Sequence, residues 1–290
     1  MPSRRIASLL KLAGVGAFAC AASISAVRAE PFATDVPDRV WVDFGGTFNE
    51  VATNAALSGS QGVGVTVNFE DVFDLPGSKT TFRMLGTARI SEKRRYIDFG
   101  YVDINRSASR IIDQDINWGD YTFQTGAEVS ARFATQFIYA AFRYDFLHEE
   151  KIRISGSAGL TYLNLETALS GQATYDDPND PGPPVTSFFD SDASQGAPVP
   201  LIGLNVDWAL TRRLVVRTYN RFFRINFAGV DGGLYESGVR LNWYFVKNFG
   251  MGLGFDRTSL KLKELELANG NKLRADYSIS GVGLYFNLAF

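Results

Sequence analysis

Residues 282–290 read Val282-Gly283-Leu284-Tyr285-Phe286-Asn287-Leu288-Ala289-Phe290, and they alternate without a break. Val282, Leu284, Phe286, Leu288 and Phe290 share one face, all large and apolar. Gly283, Tyr285, Asn287 and Ala289 share the other, small or polar. A period of two places successive side chains on opposite sides of a β-strand. This strand therefore has one side suited to an apolar medium and another suited to a confined polar space.

The same unit recurs upstream. Ile138, Ala140, Phe142, Tyr144 and Phe146 oppose Tyr139, Ala141, Arg143 and Asp145. In 152–162, Ile152, Ile154, Gly156, Ala158, Leu160 and Tyr162 oppose Arg153, Ser155, Ser157, Gly159 and Thr161. Residues 202–210 and 235–245 repeat it, the latter with Tyr235, Ser237, Val239, Leu241, Trp243 and Phe245 against Glu236, Gly238, Arg240, Asn242 and Tyr244. A soluble sandwich also alternates, but its polar face meets bulk water and tolerates many lysines. Here that face is Gly, Ser, Asn, Asp, Arg and Tyr, which suits a barrel interior. Trp41, Phe146, Trp208, Trp243 and Phe249 gather near strand ends, where membrane interfaces favour aromatics. The fold class expected is all-β, a transmembrane antiparallel up-and-down β-barrel.

The first 29 residues follow a different logic. Arg4, Arg5 and Lys11 precede an apolar stretch from Leu12 to Ile24, and Val27-Arg28-Ala29 offers a cleavage site after Ala29. That order is a secretory signal peptide, and its apolar core is shorter than the ~20 residues of a spanning helix. The expected organisation is a signal peptide over 1–29 and one barrel domain over 30–290. The sole cysteine, Cys20, falls in the leader, so the mature chain has no thiol for a disulfide or a cysteine metal site. Ala17-Phe18-Ala19 before it is a poor lipoprotein signal. Cleavage removes four basic residues, taking 29 against 31 acidic residues to 25 against 31, a net charge of −6. No clustered basic surface for nucleic acid is expected.

The 282–290 strand resembles the C-terminal assembly signal of Gram-negative outer-membrane barrels. Gly283, Phe286, Leu288 and Phe290 match its positions, while Gly281 stands where a polar residue is usual. The mature chain resembles the small barrels of the outer-membrane protein A, X and W group. More closely, IDFGYVDINRSASR, INWGDYTF, IYAAFRYDFL and APVPLIGLNVDWALTRRL are similar to a family of uncharacterised proteobacterial barrels. The resemblance implies an integral protein of the cell outer membrane. It further implies lipid and lipopolysaccharide as neighbours and recognition of the last strand by the barrel-assembly machinery. It implies no activity.

Short turns are expected at 92–95, 148–151, 211–213 and 246–248, and longer loops near 52–79, 111–130, 171–198, 228–233 and 268–272. This pattern gives ten strands, with eight or twelve as the other even counts; 62–73 and 121–130 could add pairs. The alternation slips at Tyr101/Val102, Tyr162/Leu163, Phe222/Phe223 and Asp256–Leu260, each read as a β-bulge near a rim. The resulting phase leaves Asn220 facing lipid without a reason.

Following that phase gives the charges of the lumen. Arg83, Arg89, Arg143, Arg153, Arg217, Arg221 and Arg240 face Asp43, Asp98, Asp103, Asp145, Asp207, Glu236 and Asp256. Forked guanidinium donors suit carboxylates. Two uses stay open: a neutralised network that fills the barrel, or the charged wall of a narrow channel for small solutes or small apolar molecules. No catalytic, cofactor or metal site is expected. The one histidine, His148, reads as a solvated residue of the 147–151 turn, leaving histidine-dependent hydrolysis without a base. Asp176, Asp177 and Asp180 in the 174–184 loop match no defined Ca²⁺ loop. The 171–198 segment is the expected partner-binding surface, for a partner the sequence does not name.

Overall fold

Short polar turns make consecutive strands antiparallel, so each long strand can pair with the next in sequence. A computed structural model of the chain has this arrangement. It describes residues 34–290 apart from 35, 38, 59–65, 92–93, 119–120, 176–182, 184, 228–229 and 267–271. The expected leader and its Ala29 cleavage site lie outside these residues. So do Asp176, Asp177 and Asp180.

The described strands are β1 (Val40–Ser58), β2 (Val67–Asn68), β3 (Ser78–Ser91), β4 (Arg95–Ile111), β5 (Ile116–Trp118), β6 (Tyr121–Phe123) and β7 (Glu128–His148), followed by β8 (Ile152–Tyr175), β9 (Val185–Thr211), β10 (Leu214–Phe227), β11 (Val230–Val246), β12 (Phe249–Glu266) and β13 (Lys272–Ala289). One helical turn, α1 (Phe69–Phe73), follows β2. The ten long strands pair in the ring β1-β3-β4-β7-β8-β9-β10-β11-β12-β13, and β13 returns to β1. That seam runs from Trp41↔Ala289 to Ser58↔Lys272. It leaves no open edge, as a lipid-spanning sheet requires. Gly45 stands at the seam, where a Cβ would overlap the Leu284 carbonyl oxygen.

Ten is the number of barrel strands expected, and the short turns near 148–151, 211–213 and 246–248 fall where read; residues 92–93 of the other lie outside the described residues. Of the uncertain segments, 67–73 and 121–123 form small accessories, whereas 128–130 belong to β7 and 62–65 lie outside the described residues. β2 pairs only Asn54 and Ala55, and β6 pairs Tyr121 and Thr122 with the end of β8. The 171–198 segment corrects the loop reading. Outside 176–184, it belongs to β8 and β9, paired from Gly171↔Phe189 to Tyr175↔Val185.

β7, β8 and β9 have 21, 24 and 27 residues, whereas crossing a bilayer takes only ~9–11. The excess extends beyond the apolar belt, away from the short turns. Within the belt, the outward residues are apolar, such as Ile138, Phe142 and Phe146 on β7 and Val282, Leu284 and Phe286 on β13. Beyond it, the wall inverts. On β4, Tyr96 and Asp98 point inward at belt height, but Val102 and Ile104 point inward above them. On β13, Tyr285 and Asn287 give way to Tyr277 and Ile279.

This inversion corrects the four expected bulges. β4 pairs with β7 without a register shift from Arg95↔Tyr144 to Ile111↔Glu128. β8 runs through Tyr162/Leu163 without one against β7 and β9, and β10 runs through Phe222/Phe223 without one against β11, its pairing with β9 ending at Phe222↔Ile202. β12 keeps its register through Asp256–Leu260 and shifts only between Leu262 and Leu265. The strand phase is constant, and the medium on each side changes. β11 shifts against β12 at Asp231/Gly232, at the same extended end, and further shifts lie at the short-turn ends, for example Asp145/Leu147 and Tyr244/Val246. Asn220 also gains a partner, because the Tyr235 hydroxyl donates to its Oδ1 at 3.1 Å.

Candidate functional site: a charged lumen beneath an apolar plug

At belt height, β-alternation aims arginines and carboxylates from many strands at one axis. Arg83, Arg143, Arg153, Arg217, Arg221 and Arg240 are all buried, as are Asp43, Asp98, Asp145, Asp207, Glu236 and Asp256. Asp256 is the busiest acceptor. Arg240 donates to it at 2.6 Å, Tyr219 at 2.6 Å and Tyr285 at 2.7 Å, with Arg83 3.3 Å away. Asp207 accepts from Arg143 at 2.7 Å and lies 3.4 Å from Arg153. Asp43 accepts from Asn287 at 2.7 Å and from Asn242 at 3.2 Å, with Arg217 at 3.9 Å. Arg221 lies 3.4 Å from Glu236, donates to the Tyr139 hydroxyl at 2.7 Å and stacks 3.8 Å above that ring. Thr87 donates to Asp98 at 2.5 Å.

Buried charge is costly unless it is paired and hydrogen-bonded. The tyrosines help meet that need: Tyr219 and Tyr285 add donors to Asp256, and Tyr139 and Tyr244 accept from Arg221 and Arg217. Two cavities of about 20 Å³ lie in this layer among the described residues, one bordered by Asp98, Arg143 and Asp207, the other by Arg83, Tyr139 and Glu236. Each has room for a single water.

Arg89 keeps the inward phase of Arg83 and Thr87 and is half-buried near the short-turn end of β3. One sequence-derived member sits elsewhere. Asp103 is exposed and faces outward, 3.5 Å from the Tyr101 hydroxyl. Its inward placement depended on the slip at Tyr101/Val102, which does not occur. His148 also departs from the solvated reading. Its side chain is 7% exposed, and Nδ1 lies 3.1 Å from Asp145 Oδ2. Asp145 also accepts from Ser155 at 2.6 Å, so the histidine closes one end of the charge layer.

Above this layer lies an apolar core that sequence reading missed. Val102, Ile104, Phe133, Phe137, Leu163, Leu234 and Ile279 line it from the wall. The β1–β3 connection enters it through α1, whose Phe69 and Phe73 are fully buried. Asn68 caps the turn by accepting from the Asp71 N–H, and Asp74 ends it in the left-handed region at φ 58°. Phe69 packs edge-on to Trp118 and Phe133, with centroids 5.7 and 5.8 Å away.

One charge pair, a buried arginine with a partly buried glutamate, holds this plug. Arg106, on β4, donates to Glu70 at 2.5 Å, to the Pro76 carbonyl at 3.2 Å and to the Thr53 hydroxyl. Glu70 in turn accepts the Thr53 backbone N–H at 2.9 Å. β3 pairs with β1 only as far as Glu50↔Ser78. Beyond that point, Gly77, Glu70 and β2 satisfy the β1 edge.

Away from the membrane, Asp115 accepts from the Thr125 N–H at 2.7 Å and its hydroxyl at 2.9 Å. Those two donors hold its carboxyl below the usual aspartate range.

A closed ten-stranded barrel with an apolar belt defines the class: the chain has the fold of an outer-membrane β-barrel. It is similar to the outer-membrane protease OmpT of Escherichia coli, with a TM-score of 0.54 at 12% identity, covering 88% of this chain and 97% of that one. Weaker likenesses include the toluene transporter TodX of P. putida, with TM-score 0.32, 10% identity and coverage of 88% and 91%. The attachment invasion locus protein Ail of Yersinia pestis has TM-score 0.30, 7% identity and coverage of 86% and 100%. No family model and no curated protein sequence matches the chain.

Proposed function

We propose that this is an integral outer-membrane barrel with a structural or surface-interacting role and a sealed interior. The observation that carries the reading is the stacking of two fillings along one axis, a neutralised charge network and an apolar plug. A conducting pore needs a continuous wet path, and the two cavities described at network height each have room for a single water. The apolar belt supports residence in a bilayer, and the resemblance of the last strand supports delivery there by the assembly machinery. Lipid and lipopolysaccharide are then the surrounding partners, and the extended end beyond the belt is the surface available to others.

The reading is non-enzymatic. OmpT is a protease, but an identity of 12% carries fold alone. The single histidine is engaged by Asp145 at the short-turn end, opposite the extended end. Planar-bilayer recording on refolded residues 30–290 tests the proposal. A silent membrane, with insertion shown by heat-shifted gel mobility, is expected. Steady openings whose selectivity changes in Arg143→Gln or Arg217→Gln would replace it with a narrow channel.

A further inference from the structure

We infer that the outer face of β10–β12 carries a binding site for the phosphorylated headgroup of an outer-leaflet glycolipid. The inference rests on the bilayer placement of the belt, and not on whether the lumen conducts. The register sets out the site in rows. Phe222, Tyr235 and Ser259 form one row across the three strands. One step farther from the short turns, Arg224, Gly233 and Lys261 form the next. Gly233 has no side chain, so two cations flank a notch, with backbones about two strand spacings apart, roughly 10 Å. The aromatic pair below forms its sill at the top of the apolar belt.

The notch is part of an open groove of about 530 Å³ that also reaches Arg257 and Lys263. Four basic residues and one acid, Asp231, border it. Asp231 lies 3.6 Å from Lys263 and is balanced by it. Lys261 lies 3.5 Å from Asp276, both well exposed, and such a pair is worth little and exchanges readily. Arg224 and Arg257 have no acid within ion-pair distance among the described residues. Their charge is therefore available to an outside anion, with a planar fork suited to phosphate.

The location selects the anion's source. Phe222, Tyr235 and Phe255 are exposed on the belt immediately below, so acyl chains lie against them when a headgroup occupies the notch. A free phosphate would gain nothing from that sill. An amphiphile with phosphate above and acyl chains below matches both halves.

The test uses protein purified from outer membranes of cells expressing the full chain, delipidated and followed by thermal unfolding in detergent. Three probes are compared: diphosphorylated lipid A, the same lipid dephosphorylated, and inorganic pyrophosphate. Wild-type protein should be stabilised most by the phosphorylated lipid, with at least about tenfold tighter apparent binding than the dephosphorylated form. R224Q/K261Q should lose that preference, and R224Q alone should lose part of it. K151Q, at the opposite end, should keep it. Equal response of the wild type to both lipids would overturn the site, as would an unchanged preference in R224Q/K261Q. Full stabilisation by pyrophosphate alone would overturn the lipid assignment.

Discussion

Asp256 receives two arginines and two tyrosines, so its charge serves four buried donors at once. Asp256→Asn would leave Arg83 and Arg240 sharing no anion there, and breaking one side of a buried pair costs about 3–5 kcal/mol. Urea unfolding of the variant should show that loss. Asp103→Asn should stay within about 0.5 kcal/mol, since the side chain faces outward and is exposed. The two together distinguish an inward from an outward aspartate on the same barrel. Asp115 gives a pH signature. Its folded carboxyl titrates below the unfolded one, so its contribution is complete above the ordinary value near 3.9 and is lost as pH falls through the folded value. The Thr125 amide resonance should titrate with a midpoint below that value in NMR, and D115N should abolish the transition.

Among the elements, the plug depends on a contact between a five-residue turn and a distant strand. Removing Glu70 leaves Arg106, only 1% exposed, without its carboxylate. In E70A, the local stability of the 67–77 segment should fall by about 3 kcal/mol or more. Hydrogen exchange should then accelerate at Thr53 and Val51, whose amides the plug accepts, while the β1–β13 ladder keeps its protection. This element was illegible in sequence for a physical reason. One helical turn is too short to show a 3.6-residue period, and Asn68 as a cap resembles any loop asparagine. The belt strands were legible because lipid and lumen impose opposite demands on alternate residues. Beyond the belt both demands reverse, so Val102 and Ile104 looked like a slipped register when they were an unchanged one. The 185–198 stretch looked like a loop because water outside the membrane accepts residues such as Ser187 and Asp190 on a strand.

At the scale of the whole molecule, inversion of the wall predicts which lysines meet the medium on each side. Lys261 and Lys263 lie on the extended end, whereas Lys151 and Lys247 flank the short turns. A membrane-impermeant amine reagent applied to intact cells should modify the first pair and spare the second, with mass spectrometry of the digest as the readout. Reaction of Lys151 and Lys247 in intact cells, with Lys261 and Lys263 reacting only after lysis, would place the extended end on the inner side. The ring of ten was legible from turn spacing, and the lumen charges were legible wherever strand phase stayed within the belt. Arg106 was missed because its neighbours suggested a slipped phase, and His148 because a residue near a turn need not face solvent.

The seam also governs how the molecule can be made. Trp41 pairs with Ala289 and Ser58 with Lys272, so the closing ladder joins the two most distant strands of the sequence. Every other neighbour along the ring can zip locally across a turn or a loop. This ladder must wait for the last strand to be delivered, and until then both β1 and β13 have unpaired backbone groups. High contact order of this kind slows folding and gives the search a late bottleneck. Closure is therefore a single terminal event, and its rate responds to residues on β13 and their partners on β1 more than to any loop.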